Sequence, residues 1–356
     1  DALGGTDAEQ TETDQRHIMG QAKAMRAYAY FYLAHFYATG YGDGSEKILP
    51  LYKDTQVPNQ PLSTAAEVYE LIISDLTQAV EYLADFNRAS KDQVDAWVAK
   101  GLLAYAYAAR GGNADLQQVV SLTDDIINNG GFPLTSQAEV VAKFDPTTET
   151  LLNPEAGFNN VATPSWMWGV DLTIANDLDL VSWWGQVDLF TYSYAWAGDP
   201  KVIDNGLYAA IPDTDVRKDQ FVDVDGNELY WPINKFFAQH RTSFLDGDEI
   251  GGQRQIIADY VYMRVDEMYL LNAEANARLG QDAAAQTSLK ALLSERLPDA
   301  SYVDALGGQA LLDEIYLQTR IELWGEGKTF LALKRNKRSV TRADNHLFFE
   351  GETFSY

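Results

Sequence analysis

Gln21-Ala-Lys-Ala-Met-Arg-Ala-Tyr-Ala-Tyr-Phe-Tyr-Leu-Ala-His-Phe-Tyr37 is the stretch that decides the fold. From His17 to Tyr37 its Ala, Tyr and Leu recur at helical spacing, so it reads as an amphipathic helix. Two later stretches read the same way: Tyr262-Met-Arg-Val-Asp-Glu-Met-Tyr-Leu-Leu-Asn-Ala-Glu-Ala-Asn-Ala-Arg-Leu-Gly280, and Arg320-Ile-Glu-Leu-Trp-Gly-Glu-Gly-Lys-Thr-Phe-Leu-Ala-Leu-Lys-Arg335.

Outward from the first helix, Gly40-Tyr-Gly-Asp-Gly-Ser45 breaks the pattern. Thr64-Ala-Ala-Glu67 is a capping box for a second helix, whose face carries Val68, Leu71, Ile72, Leu76, Ala79 and Leu83. Asp92 is expected to cap a third helix that ends near Gly111-Gly112, and a fourth runs from about Ala114 to Asn128. From 132 to 257 helical periodicity fades, and Asp223-Val-Asp-Gly-Asn-Glu-Leu-Tyr-Trp231 signals a hairpin. Helices return at Asp259, Asp282, Gln309 and Lys328, the third expected to reach Glu326. Helix pairs joined by short Gly-containing turns suggest tetratricopeptide-like packing. The expected divisions are 1–131 helical, 132–257 loop-rich and ligand-binding, 258–337 helical and 338–356 an irregular tail, together one integrated domain truncated at both ends.

The chain of 356 residues sets 52 Asp and Glu against 27 Lys and Arg, a formal charge of −25. Such a surface repels phosphate backbones, so nucleic acid is excluded as a main partner. With no cysteine there is no disulfide framework, thiolate metal site or cysteine nucleophile. No run of about 18 apolar residues reads as a membrane span. No signal peptide is visible, and both ends read as cut, which would remove export and anchoring signals with them.

Catalytic motifs are wanting. His17, His35, His240 and His346 show no metal-pair spacing, and no G-x-S-x-G, phosphate-binding loop or dinucleotide fingerprint occurs. Asp223-x-Asp225-Gly226 resembles part of a calcium loop, but Phe221 and Pro232 stand where acids are needed, so a hairpin is the better reading. Glu322 and Glu326 fall one turn apart on an expected helix, with Arg320 and Lys328 nearby. Salt-bridged helix surface accounts for them better than a glycosidase pair. Glu267, Glu274 and Arg264 read as a similar structural cluster. No metal and no cofactor are expected.

The aromatics carry more information. Five of the eight Trp fall in one irregular stretch, Trp166, Trp168, Trp183, Trp184 and Trp196, with Phe190, Tyr192 and Tyr194 among them. Asp177, Asp179, Ser182, Gln186 and Asp188 flank Trp183-Trp184. Sugars present flat C–H faces and rings of hydroxyls, which aromatic platforms and carboxamide or carboxylate groups complement. Trp166 and Trp168 alternate as a buried strand would, and Trp97 and Trp324 read as core. Trp183 and Trp184 read equally well as a binding platform or as anchors of the loop.

Several motifs together resemble the SusD/RagB family of outer-membrane nutrient-binding lipoproteins. Gln21 to Leu33 looks like the family's first helix, and Tyr41-Gly-Asp43 with Pro50-Leu51 resembles the turn after it. Trp166-Met-Trp168 resembles the segment leading into the family's variable loops. Ile211-Pro-Asp-Thr-Asp-Val-Arg217, Tyr262 to Gly280 and Arg320-Ile-Glu-Leu-Trp-Gly-Glu-Gly-Lys328 follow in the family's order, with Lys328 where Arg or His is usual. The resemblance implies a mainly α fold, a SusD-like α/α superhelix of tetratricopeptide-like helix pairs with a long loop-rich insertion containing short strands. It implies a surface-exposed lipoprotein of the cell outer membrane that binds oligo- or polysaccharide without catalysis and delivers it to a SusC-like TonB-dependent transporter. The N-terminal lipid anchor and the C-terminal segment usual in the family are absent from this chain.

The residues expected to hold a carbohydrate ligand are Trp183, Trp184, Tyr194 and Trp196, with Tyr41 and Asp43 as second choices. The first helix and the Tyr262–Gly280 helix are expected to be scaffold rather than ligand contacts. A RagB-like peptide-uptake protein and a helical-repeat interaction scaffold stand as alternatives.

Overall fold

Helix α1, Thr13–Tyr37, presents Ala24, Ala27, Phe31 and Ala34 to α2, Ala65–Tyr82, and the small side chains let the two backbones approach. The computed structural model describes residues 2–53, 58–178, 180–245 and 255–355, and Asp179 lies outside them. Between the two helices, strands β1 (Lys47–Pro50) and β2 (Leu62–Thr64) pair antiparallel. The capping box forms as read. Thr64 N donates to the Glu67 carboxylate at 2.8 Å, and Glu67 N to Thr64 Oγ1 at 3.2 Å. A cap of this kind contributes about 1 kcal/mol.

Helix α3, Ala96–Arg110, is capped by Asp95, not Asp92: Val98 N donates to Asp95 Oδ1 at 2.9 Å. The reason is the preceding turn. Ala89 N donates to the Gln93 side chain at 2.8 Å, and the Asp92 carbonyl accepts the Trp168 indole N–H at 3.1 Å, so the chain becomes helical only after it. Gly111 in the left-handed region (φ 74°) ends α3, and α4 follows at Asn113–Asn129. A one-turn helix α5, Gln137–Val140, opens the insertion.

Strand β3, Trp166–Val170, buries Trp166 and Trp168, as the alternation suggests. The insertion continues through the short helices α6 (Trp184–Val187) and α7 (Asn205–Ala209) and the strand pair β4 (Val222–Asp223) and β5 (Tyr230–Trp231). The Asp223 carboxylate accepts Asn227 N and Glu228 N, both at 3.0 Å, so it staples the hairpin turn. The insertion has its own apolar clusters, one around Phe190, Trp231 and Phe237 and another around Trp166, Trp184 and Phe236.

The expected helix from Asp259 begins instead as β6, Tyr260–Arg264, antiparallel to β3. Its Tyr-Val-Tyr run suits a strand. Gly101 of α3 makes room for it, since a Cβ there would sit 2.4 Å from Met263 Sδ. Helix α8 then runs Val265–Arg278, followed by α9 Asp282–Leu293, α10 Gly308–Glu322 and α11 Thr329–Arg335. Strands β7 (Val340–Thr341) and β8 (Thr353–Phe354) form a terminal hairpin. Helices pack in series, α1 on α2, α2 on α3, α3 on α4, then α4 directly on α8, and α8 on both α9 and α10. The fold is mainly α, helix pairs in series with a loop-rich insertion held between α4 and α8.

Glu322 and Glu326 depart from their expected place on a helix surface. α10 stops at Glu322, and Gly325 (φ 79°) and Gly327 (φ 75°) turn the chain, so Glu326 lies beyond the helix. Both carboxylates are interior. Glu322 meets Arg217, Arg264 and Arg296 at 2.9–3.0 Å, and Glu326 meets Arg264 and Lys235 at 2.8 Å. Arg320 is not among their partners.

Candidate functional site

Above this charge cluster lies an aromatic cavity of about 450 Å³, where α1, β6, the start of α6 and the Gly325–Lys328 turn meet. Tyr28 and Tyr32, one turn apart on α1, form one wall, with ring centroids 4.8 Å apart. Tyr260 and Tyr262 of β6 form the next, and Trp183 and Phe236 the third. The walls are braced: Trp168 stands edge-on to Tyr28 at 5.1 Å and to Tyr262 at 5.0 Å, and Trp183 to Phe236 at 6.0 Å. Gly325 is obligatory here. Its φ is 79°, and a Cβ would come within 2.6 Å of Phe236 and 3.0 Å of Trp183.

Polar groups sit at the margin. Asp259 accepts Val161 N at 2.7 Å and Leu172 N at 2.8 Å; burial nonetheless pushes its pKa up. Lys328 is 3.1 Å from Glu267 and donates to the Tyr262 carbonyl, and Tyr105 donates to the same Glu267 at 2.6 Å. Burial pushes the Tyr28 hydroxyl pKa up, with Tyr32 and Tyr262 adding to the effect, so Tyr28 stays a neutral donor. The cavity is therefore an apolar box with fixed donors and acceptors at its edges, suited to a ring that carries hydroxyls.

The two adjacent tryptophans separate. Trp183 is half-buried on the cavity wall. Trp184 is 1% exposed and packs in the insertion's core against Phe236, at 6.0 Å. Both tryptophans line the cavity, Trp183 as its accessible wall and Trp184 as a buried ring behind it, so Trp183 is the better placed of the two as a platform. Tyr194 and Trp196 are 41% and 40% exposed. Their loop is tied beside α6, with Tyr194 N donating to Gly185 O at 2.9 Å, and Tyr192 lies 5.1 Å from Trp196. Tyr41 and Asp43 lie elsewhere. Tyr41 lines a different cavity, at the ends of α1 and α3, and Asp43 is exposed, its carboxylate accepting Ser45 N at 2.9 Å and Ser45 Oγ at 2.6 Å. The six expected residues therefore do not form one site.

Tyr28, Tyr32, Tyr260 and Tyr262 line the cavity although their segments read as scaffold. The signal available was Tyr28 and Tyr32 at i and i+4, off the Ala24, Ala27 and Phe31 face. Tyr260 and Tyr262 share a side only once their segment is a strand. Among the described residues no group of three or more His, Cys, Asp or Glu could hold a metal ion, and no helix is long and apolar enough to cross a membrane.

Residues 209–352 match a family model described as "SusD family", and residues 1–110 match one described as "Starch-binding associating with outer membrane". A SusD-like protein of Bacteroides ovatus is 29% identical over 146 residues, which are 38% of this chain and only 25% of that protein. A solved SusD-like carbohydrate binding protein from Bacteroides vulgatus is 26% identical, with a TM-score of 0.73 over 98% of this chain and 71% of that one. A SusD superfamily protein from Bacteroides thetaiotaomicron shares the fold, with a TM-score of 0.74 at 20% identity over 98% of this chain and 75% of that one. With a family match at each helical end and a shared fold along nearly its whole length, the chain belongs to the SusD family.

Proposed function

We propose that this chain binds an oligo- or polysaccharide without transforming it, with the cavity beside Trp183 as the principal site and Tyr194 and Trp196 as an outer contact. The observation that carries the reading is the cavity itself: eight aromatic residues, the most accessible being Tyr28, Tyr32, Trp183, Tyr260 and Tyr262, around about 450 Å³, with Asp259 and Lys328 at its edge. The related Bacteroides vulgatus protein, described as carbohydrate binding, supports the same class of ligand.

The state of Glu322 and Glu326, the two carboxylates that could be weighed as a glycosidase pair, supports binding without turnover. Burial alone would raise the pKa of Glu322, but Arg296, Arg264 and Arg217 hold it well below the usual range. Glu326 is lowered by Arg264 and Lys235 against the same burial. Neither can supply the protonated acid that glycoside hydrolysis requires. In the whole protein, the bound glycan would be passed to a SusC-like TonB-dependent transporter, from a lipid-anchored position on the outer face of the outer membrane. The match to a family described as associating with the outer membrane supports that location.

The test is affinity electrophoresis against plant, host and microbial polysaccharides, with a peptide pool assayed in parallel by calorimetry. Retardation by at least one glycan, with no reducing ends released, is expected. Binding confined to peptides would favour the peptide-uptake alternative, and release of reducing ends would overturn the non-catalytic reading.

A further inference from the structure

A second cavity, of about 570 Å³, opens where the C-terminal ends of α1, α3, α8 and α11 converge, far in composition from the first. In a chain of charge −25, five basic side chains line it, Arg110, Arg278, Lys334, Arg335 and Lys337, against one acidic side chain, Glu46. We propose that this cavity is a binding site for a small ligand carrying an oxyanion, a carboxylate or sulfate group on a ring.

Part of the basic lining answers a structural demand. Helix C-termini carry partial negative charge and unsatisfied carbonyls. The Lys334 ammonium meets that demand by donating to the carbonyls of His35 and Ala38 at the end of α1. Arg335 and Arg278 both bind Glu274, with Nη2 of each at 2.8 and 3.0 Å, and Arg110 is paired with Asp115. These contacts leave donors over. Nη1 of Arg110, of Arg278 and of Arg335 makes no hydrogen bond to a described residue, and the exposed Lys337 has no ion-pair partner among them.

The arrangement suits an anion for two reasons. The guanidinium groups are already fixed by their carboxylates, so engaging their remaining N–H groups costs little side-chain freedom. The cavity also has an apolar platform, Tyr41, whose ring stands edge-on to the buried Tyr69 at 5.2 Å. A ring can lie there with its charged group toward the basic side chains. Helix-end neutralisation accounts for Lys334 and for Arg278, whose Nη2 donates to the Arg335 carbonyl at the end of α11 at 3.1 Å; it does not account for Lys337, which stands at the rim without an ion-pair partner among the described residues.

The test is isothermal titration of the whole chain with galacturonate, sodium sulfate and neutral galactose. Galacturonate and sulfate should bind, more weakly as salt rises, and galactose should not displace them. Lys337→Glu, a surface change, and Arg110→Gln should each weaken galacturonate at least tenfold, while Trp183→Ala leaves it unchanged. Sulfate binding without a preference for galacturonate would identify the group as the free oxyanion, and a preference for galacturonate would identify an acidic sugar. No binding of either anion at roughly 10 mM, equal to about −2.7 kcal/mol, would overturn the proposal, as would affinities unmoved by both charge variants. The site is independent of the Trp183 cavity, so its failure would leave the glycan reading standing.

Discussion

Arg264 Nη1 stands 2.9 Å from Glu322 Oε1, both side chains wholly buried, although 58 residues separate them in the chain. Arg296 meets the same oxygen at 2.9 Å and Arg217 the other at 3.0 Å. One carboxylate thus joins the start of α8, the end of α9, the end of α10 and the insertion. Arg217, Arg264, Asp266, Glu267, Glu322, Glu326 and Lys328 all fall in the motifs by which the chain resembles its family. They form the floor and frame under the aromatic cavity rather than its lining, apart from Glu326 and Lys328.

Glu322→Gln should therefore be severe. It leaves three buried guanidinium groups short of a counter-charge, and breaking a buried pair costs about 3–5 kcal/mol. Urea denaturation should show a loss of that size, with binding reduced in parallel as the cavity loses its frame. A loss under about 1 kcal/mol would mean that the cluster is not what joins these elements.

Acid should weaken the fold in two stages. Burial lowers the pKa of His35 from 6.5 to about 4, with Lys334 and Arg335 adding to it, so the folded state keeps this imidazole neutral. The unfolded chain takes up the proton first, so stability falls as pH drops from 6.5 to 4, by about 3 kcal/mol at the lower end. Glu274 acts lower down. Burial pushes its pKa up, but Arg335 and Arg278 bring it from 4.5 to about 2, so its contribution is present above pH 4.5 and lost toward pH 2. Denaturation midpoints measured from pH 7 to pH 3 should fall throughout. His35→Gln should flatten only the upper limb.

The neighbouring tryptophans should behave oppositely. Trp184→Ala empties a core site and should cost about 3–5 kcal/mol. Trp183→Ala removes a half-buried wall residue and should cost far less stability. Thermal melts of the two single variants separate these outcomes, and equal melting temperatures would contradict the placement of Trp184 in the core.

Gly325→Ala tests the cavity's shape. A left-handed φ disfavours any side chain, by about 1–3 kcal/mol, and the new methyl group would press on Phe236 and Trp183. Both stability and glycan affinity should fall. Normal affinity in this variant would mean that the ligand does not enter beside the turn.

Helices whose apolar residues repeat were legible in the sequence, and so was the Thr64–Glu67 capping box, because both signals lie within a few residues. The start of α3 was misplaced because Asp92 and Asp95 are equally good caps, and what distinguishes them is the turn before the helix, closed by Ala89 N on the Gln93 side chain and by the Trp168 indole on the Asp92 carbonyl. Tyr260 and Tyr262 read as helix because their pairing partner, Trp166–Val170, lies ninety or more residues away. The site was legible in part. Clustered tryptophans pointed to the insertion, but no local pattern says which of two adjacent rings is the more accessible. Tyr28 and Tyr32 joined the site only through tertiary packing against β6.

The most direct measurement of the central claim is the dissociation constant, by isothermal titration, of whichever glycan retards the protein, for the native chain and for Trp183→Ala. Loss of at least tenfold in affinity, about 1.4 kcal/mol, with an unchanged circular dichroism spectrum, is the predicted result. An affinity equal to that of the native chain would contradict the assignment of the cavity beside Trp183 as the carbohydrate site.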